Sequence, residues 1–227
     1  MKYGKIERRL YHVFSRGQSA RLQELFRGSV SLRVQSGLKD EFERAMERAQ
    51  VFLPYMERVF RKANLPPLLT RLAFVESMFN YKARSKAGAV GVWQFMPNTG
   101  KDFLIINKYI DERKSIYKST LAAARLLSSN FKSLGSWPLA ITAYNYGKMG
   151  VVRALKKTGS SRLIDLIRLY KGLSFGFASK NFYAEFVAVV RSYQRLMTPY
   201  QKDVDSVTIF RLNQSFSLNE LLEKFDL

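Results

Sequence analysis

Glu76 stands in the segment LTRLAFVESMF, with Phe74, Val75, Met78 and Phe79 around it. A carboxyl in an apolar setting is penalised as an anion, so its pKa rises. Such a group keeps its proton near neutral pH and can serve as a general acid, then as a base. The window alone also fits a partly exposed glutamate at a helix end, so its neighbours must decide.

After Glu76 comes the loop SKAGAVG and then WQFMP. Gly88 and Gly91 permit tight backbone geometry and close approach of a ligand. Gln94 offers an amide between Trp93 and Phe95, a pairing that suits a saccharide cleft. Those aromatics equally fit a core. Further on, AYNYG at 143–147 closes an apolar helix with Tyr144, Asn145 and Tyr146 together. A tyrosine hydroxyl there could hydrogen-bond a carboxyl, and Asn145 with Gly147 could equally supply a helix cap. The chain has no Cys and one histidine, His12, so thiol chemistry and multi-histidine metal sites have no residues to draw on. No metal or cofactor is expected.

Helices must position these groups. Residues 39–62 place Phe42, Met46, Ala49, Leu53, Met56 and Phe60 three or four apart, one apolar face. Pro54 is expected to kink or divide that helix. Asn64 and the prolines after it start a second helix over 67–79. Others are expected from Pro97 to about Tyr109, over 117–134 ending at Gly135, from Trp137 to Gly147, and over 161–171 and 179–196. Strand-like runs occur at 30–34 and in SVTIFRL near the end. The fold class is mainly α, with a short strand pair at most. Three parts are expected: a basic N-terminal arm (1–31), a helical domain (32–196) and a strand–helix extension (197–227).

Lys and Arg number 38 against 18 Asp and Glu, a formal net charge of +20 that favours polyanionic partners. No basic run of five residues or nucleic-acid motif occurs, so nucleic acid is not the expected partner. The N-terminus lacks the apolar stretch of a secretory signal, and no apolar run is long enough to span a membrane. Export by another route, or a leader outside this numbering, is expected.

The ordered set Glu76-Ser77, GAVGVWQFMP and AYNYG resembles the lytic transglycosylase (SLT) domain of glycoside hydrolase family 23. It resembles the membrane-bound lytic transglycosylase D branch most, through RVQSGLKDEFERAM, DERKSIYKSTLAAARLL and NFYAEFVAVV. The resemblance covers about residues 32–195. It implies a lysozyme-like helical fold with a groove for peptidoglycan glycan strands, and Glu76 as catalytic acid, then base. It implies that Ser85, Gln94, Met96, Tyr144 and Asn145 line the groove, and that Tyr183 contacts the glutamate. It implies a periplasmic or cell-envelope setting. From its charge, the basic surface is expected to meet the envelope, and the chain is expected to act as a monomer. The chain departs from the branch at Tyr146, where His or Ala is usual, and shows no LysM repeat or lipoprotein cysteine.

Glycosidases with two carboxylates hold them about 5–5.5 Å apart for retention or about 6.5–9.5 Å for inversion. Between Pro66 and Gly159 the acids are Glu76, Asp102, Asp111 and Glu112. None of the other three has a setting like that of Glu76, so a one-carboxylate transglycosylase is expected. A muramidase using Asp111 or Glu112 to position water, and a non-catalytic peptidoglycan-binding module, are the alternatives.

Overall fold

The apolar face read over 39–62 becomes the first helix of a computed structural model that describes residues 38–196. Helix α1 spans Leu38–Lys62. Pro54 does not divide it: the helix is continuous, and the proline lies on its exposed side. The carbonyl left without a donor belongs to Gln50, which is itself only half-buried. Both arms expected at the ends, and the strand-like runs in them, lie outside the described residues.

The helix expected over 67–79 is two pieces: a 3₁₀ turn, Pro67–Arg71, and α2, Leu72–Ser77. Met78 and Phe79 then take left-handed backbone conformations (φ 49° and 57°). Each such non-glycine residue costs on the order of 1–3 kcal/mol. Burial of Phe79 is the compensation, its ring 4.5 Å from that of Phe74. Met78 is held from outside as well, because Arg48 of α1 donates to its carbonyl at 2.9 Å.

Helix α3 is only Pro97–Lys101, much shorter than the expected run to Tyr109. Glu112 supplies the reason: its carboxylate accepts from the Ile105 N–H at 2.8 Å, which would otherwise extend the helix, and Ile106 bridges to Asp111. Asn107 then closes the turn by accepting from the N–H groups of Tyr109 and Ile110. A second 3₁₀ turn, Glu112–Lys114, leads into α4, Ile116–Leu134, which Gly135 caps in the left-handed region as expected. Helix α5, Trp137–Tyr146, stops at Gly147. Helix α6, Lys148–Thr158, was not foreseen, although Val151, Ala154 and Leu155 carry a helical spacing. Helices α7, Leu163–Leu169, and α8, Phe177–Leu196, complete the order.

The described part is mainly α. Its β structure amounts to isolated bridges, Arg84 with Val90, Val90 with Phe95, and Ile106 with Asp111. The main core joins α1, α2, α4 and α8 around Phe74, which lies against Phe42, Phe79 and Tyr193. Trp93 enters the same core, stacked on Phe60 at 5.7 Å. A smaller cluster around Phe175 joins α5, α6 and α7. Helix α8 packs on both α2 and α5, so it links the glutamate-bearing helix to the one that ends in AYNYG.

Phe74 is fully buried at the centre of this cluster. Phe74→Ala should cost about 3–5 kcal/mol in urea unfolding, the range for emptying a packed aromatic site. A loss below about 1 kcal/mol would show that this cluster does not hold α2.

Candidate active site

Glu76 lies one residue before the end of α2, a helix whose first three residues are fully buried. The carboxyl has no hydrogen bond and no ion pair among the described residues. Its pKa is raised to about 8, first by burial and then by the negative charge of Glu185. The apolar window therefore has the effect read from the sequence. Ser77 beside it is structural, its hydroxyl donating to the Val92 carbonyl at 2.8 Å and tying α2 to the following loop.

That loop is braced from behind. Arg113 is buried and donates to the carbonyls of Gly88 (2.9 Å) and Phe95 (3.1 Å). Its charge is met by Asp111 through two hydrogen bonds of 2.9 and 2.8 Å. Gly91, at φ +79°, passes so close that a Cβ there would sit 2.1 Å from the Arg113 carbonyl oxygen. No other residue fits that position. Within the loop, Ser85 accepts from the Ala89 N–H at 2.9 Å and shapes the turn.

Gln94 takes a left-handed conformation (φ 47°), and its amide nitrogen donates to Gly91 and Ala83 carbonyls. Its amide oxygen makes no hydrogen bond among the described residues. Trp93 and Phe95 do not offer aromatic faces to a ligand: both are core, and the Trp93 indole donates to Thr120 at 2.9 Å. Met96 is the apolar side chain of this stretch that stays exposed, at 40%.

Tyr144 is brought close to Glu76. Burial, with the Glu76 charge adding to it, holds its phenol well above the ordinary range. Its hydroxyl donates to the Trp93 carbonyl at 2.9 Å rather than to a carboxyl. Asn145 accepts from Ser179 of α8 at 2.8 Å, which fastens the AYNYG end of α5 to the last helix. Tyr146 shares a hydrogen bond of 3.1 Å with Ser174 and lies over Gly150. Tyr183 is buried on α8, and burial pushes its phenol up.

Glu185, two residues after Tyr183, lies outside the Pro66–Gly159 span that holds the candidate acids of the sequence. Burial raises its own pKa as well. The signal was present in NFYAEF, but only packing of α8 on α2 brings it near Glu76. Asp111 and Glu112 are engaged elsewhere. Asp111 neutralises Arg113, while Glu112 accepts from the Ile105 N–H at 2.8 Å and faces Lys118 at 3.3 Å.

Residues 56–166 match the family described as Transglycosylase SLT domain. Among similar proteins are two named membrane-bound lytic murein transglycosylase D, from Escherichia coli (strain K12) and from Escherichia coli O6:H1. Each is 35% identical over 111 residues, covering 48% of this chain and 25% of that protein. Another, from Alteromonas sp. (strain M-1), is named for tributyltin chloride resistance. It is 36% identical over 110 residues, covering 48% of this chain and 53% of that protein. The matched segment thus spans a quarter of the length of the Escherichia coli relatives.

The raised pKa makes Glu76 a cost to stability at high pH. Between the ordinary value of 4.5 and about 8, the native state holds a proton that the unfolded chain has released. Stability therefore falls as pH rises through that window. Glu76→Gln should unfold at higher urea than the parent at pH 9, by on the order of 3–5 kcal/mol, and the two should converge below pH 4. Equal stability at both pH values would mean that the carboxyl is solvated.

Proposed function

Since residues 56–166 match the transglycosylase SLT domain family, we propose that this chain is a peptidoglycan lytic transglycosylase. It cleaves the β-1,4 bond between MurNAc and GlcNAc and leaves a 1,6-anhydro-MurNAc end. The observation that carries the proposal is Glu76, a partly buried carboxyl without a counter-cation among the described residues, whose pKa stands at about 8.

At neutral pH Glu76 is protonated and donates to the oxygen of the leaving GlcNAc as the bond to the anomeric carbon breaks. The 2-acetamido oxygen of the same MurNAc attacks that carbon, which removes the need for a protein nucleophile. The Glu76 carboxylate left behind is poorly solvated, so it is a strong base for its type. It takes the proton of the 6-hydroxyl, whose oxygen displaces the acetamido oxygen and closes the 1,6-anhydro ring. Glu76 ends as it began, protonated.

Gln94, Met96 and Asn145 line the groove, with Ser85 shaping the loop at its edge. Tyr144 and Tyr183 wall the glutamate and exclude water from it, keeping its proton. Glu185 repels charge on Glu76 and so extends the pH range over which the acid stays loaded. A muramidase reading survives through Glu185, as a carboxylate able to hold water, rather than through Asp111 or Glu112. The cell envelope is the setting that fits the substrate, with the catalytic unit acting as a monomer.

Glu76→Gln should abolish release of muropeptides from purified sacculi. Mass spectrometry of parent products should give anhydro ends; reducing ends alone would make the enzyme a hydrolase. The rate should fall as pH rises through about 8, because the proton donor is lost. Glu185→Gln should move that fall to lower pH by removing a like charge. An unmoved limb would exclude Glu185 from the site's electrostatics.

A further inference from the structure

A cleft of about 600 Å³ lies between the end of α1 and α4, and none of the groove residues named above lines it. Lys62, Arg125 and Lys132 line it, and no acid does. Their charges meet no carboxylate among the described residues, whereas Arg48, Arg61, Arg71 and Arg113 are each paired. Three hydroxyls share the wall, those of Ser128, Ser129 and Ser133. Lys148 of α6 donates to the Ser129 hydroxyl at 3.1 Å, bringing a fourth cation to its edge. Val59, Leu121 and Ala124 contribute apolar surface.

On α4 the positions 121, 125, 128 and 132 fall on one helical face, so Leu121, Arg125, Ser128 and Lys132 form a single stripe. Lys62 and Lys132 sit in the last turns of their helices, where cations also offset the helix dipole. That role explains neither Arg125 in mid-helix nor the hydroxyls beside it.

We propose that this cleft binds a phosphate ester of a small polyol. One carboxylate would leave most of the charge unmatched. A phosphate carries up to two charges near neutral pH and several strong acceptor oxygens, which suit an arginine fork, ammonium groups and serine hydroxyls. The volume lies in the range of small-molecule sites, roughly 300–1,000 Å³, and is far larger than bare phosphate needs. The apolar floor suits the carbon skeleton of the ester. This site stands independently of the chemistry at Glu76.

The test is calorimetric titration of the whole chain with glycerol 3-phosphate near physiological salt. Saturable one-to-one binding is expected, weakened at least tenfold in the Arg125→Ala/Lys132→Ala variant. The variant Lys156→Ala/Lys157→Ala removes the same charge from exposed positions on α6 and should bind as the parent does. Co-sedimentation with phosphatidylglycerol vesicles, against phosphatidylcholine, separates the sources of the ester. Pelleting lost with Arg125 and Lys132 assigns a lipid headgroup, and no pelleting beside soluble binding assigns a soluble or polymer-borne ester. Absence of saturable binding to both probes, or equal loss in both variants, overturns the proposal. The readout needs no glycan cleavage, so its failure is separate from failure of the catalytic reading.

Discussion

The structure depends on keeping one carboxyl half-buried and without a cation. A carboxylate in apolar surroundings is unfavourable, and proteins ordinarily relieve it with an arginine or backbone donors. Cations are abundant in this chain, yet none pairs with Glu76 among the described residues. Arg71, close by in sequence, is directed to Glu57 and lies over the ring of Tyr193 at 4.4 Å. Arg48 is turned to Glu41 and to the Met78 carbonyl. The nearby basic groups are committed to structural duties, and the charge that does reach Glu76 is the negative one of Glu185. The result is an acid that holds its proton at neutral pH.

Other features keep that carboxyl in place. Helix α2 is too short to be stable alone, so it is fixed at its end by Phe79 in the core and by Arg48 on the Met78 carbonyl. The facing loop has little regular structure and is organised from outside by the Arg113–Asp111 pair. Removing either partner would leave a buried charge, which is far costlier than the net worth of the pair. Helix α8 closes the arrangement, joining α2 through its aromatic face and α5 through Ser179 and Asn145.

Much of this was readable from residues alone. The apolar spacing of α1 and α4, and the stops at Gly135 for α4 and Gly147 for α5, were legible because those signals are local. The apolar window of Glu76 indicated its raised pKa for the same reason. What escaped was tertiary. Trp93 and Phe95 read as well as ligand faces as core, and only packing on Phe60 and Tyr144 decides for core. The Tyr144 hydroxyl reached for a backbone carbonyl, a partner with no sequence signature. The early end of α3 comes from the Glu112 carboxylate, which takes the Ile105 N–H from seven residues away. Glu185 is far from Glu76 in sequence, and no periodicity links them.

The most direct measurement is the titration of the Glu76 side-chain carboxyl itself, followed by carbon-13 NMR and assigned by comparison with Glu76→Gln. A midpoint near pH 8 is expected. A midpoint near 4.5 would contradict the account, because a carboxyl ionised at neutral pH could not serve as the proton donor.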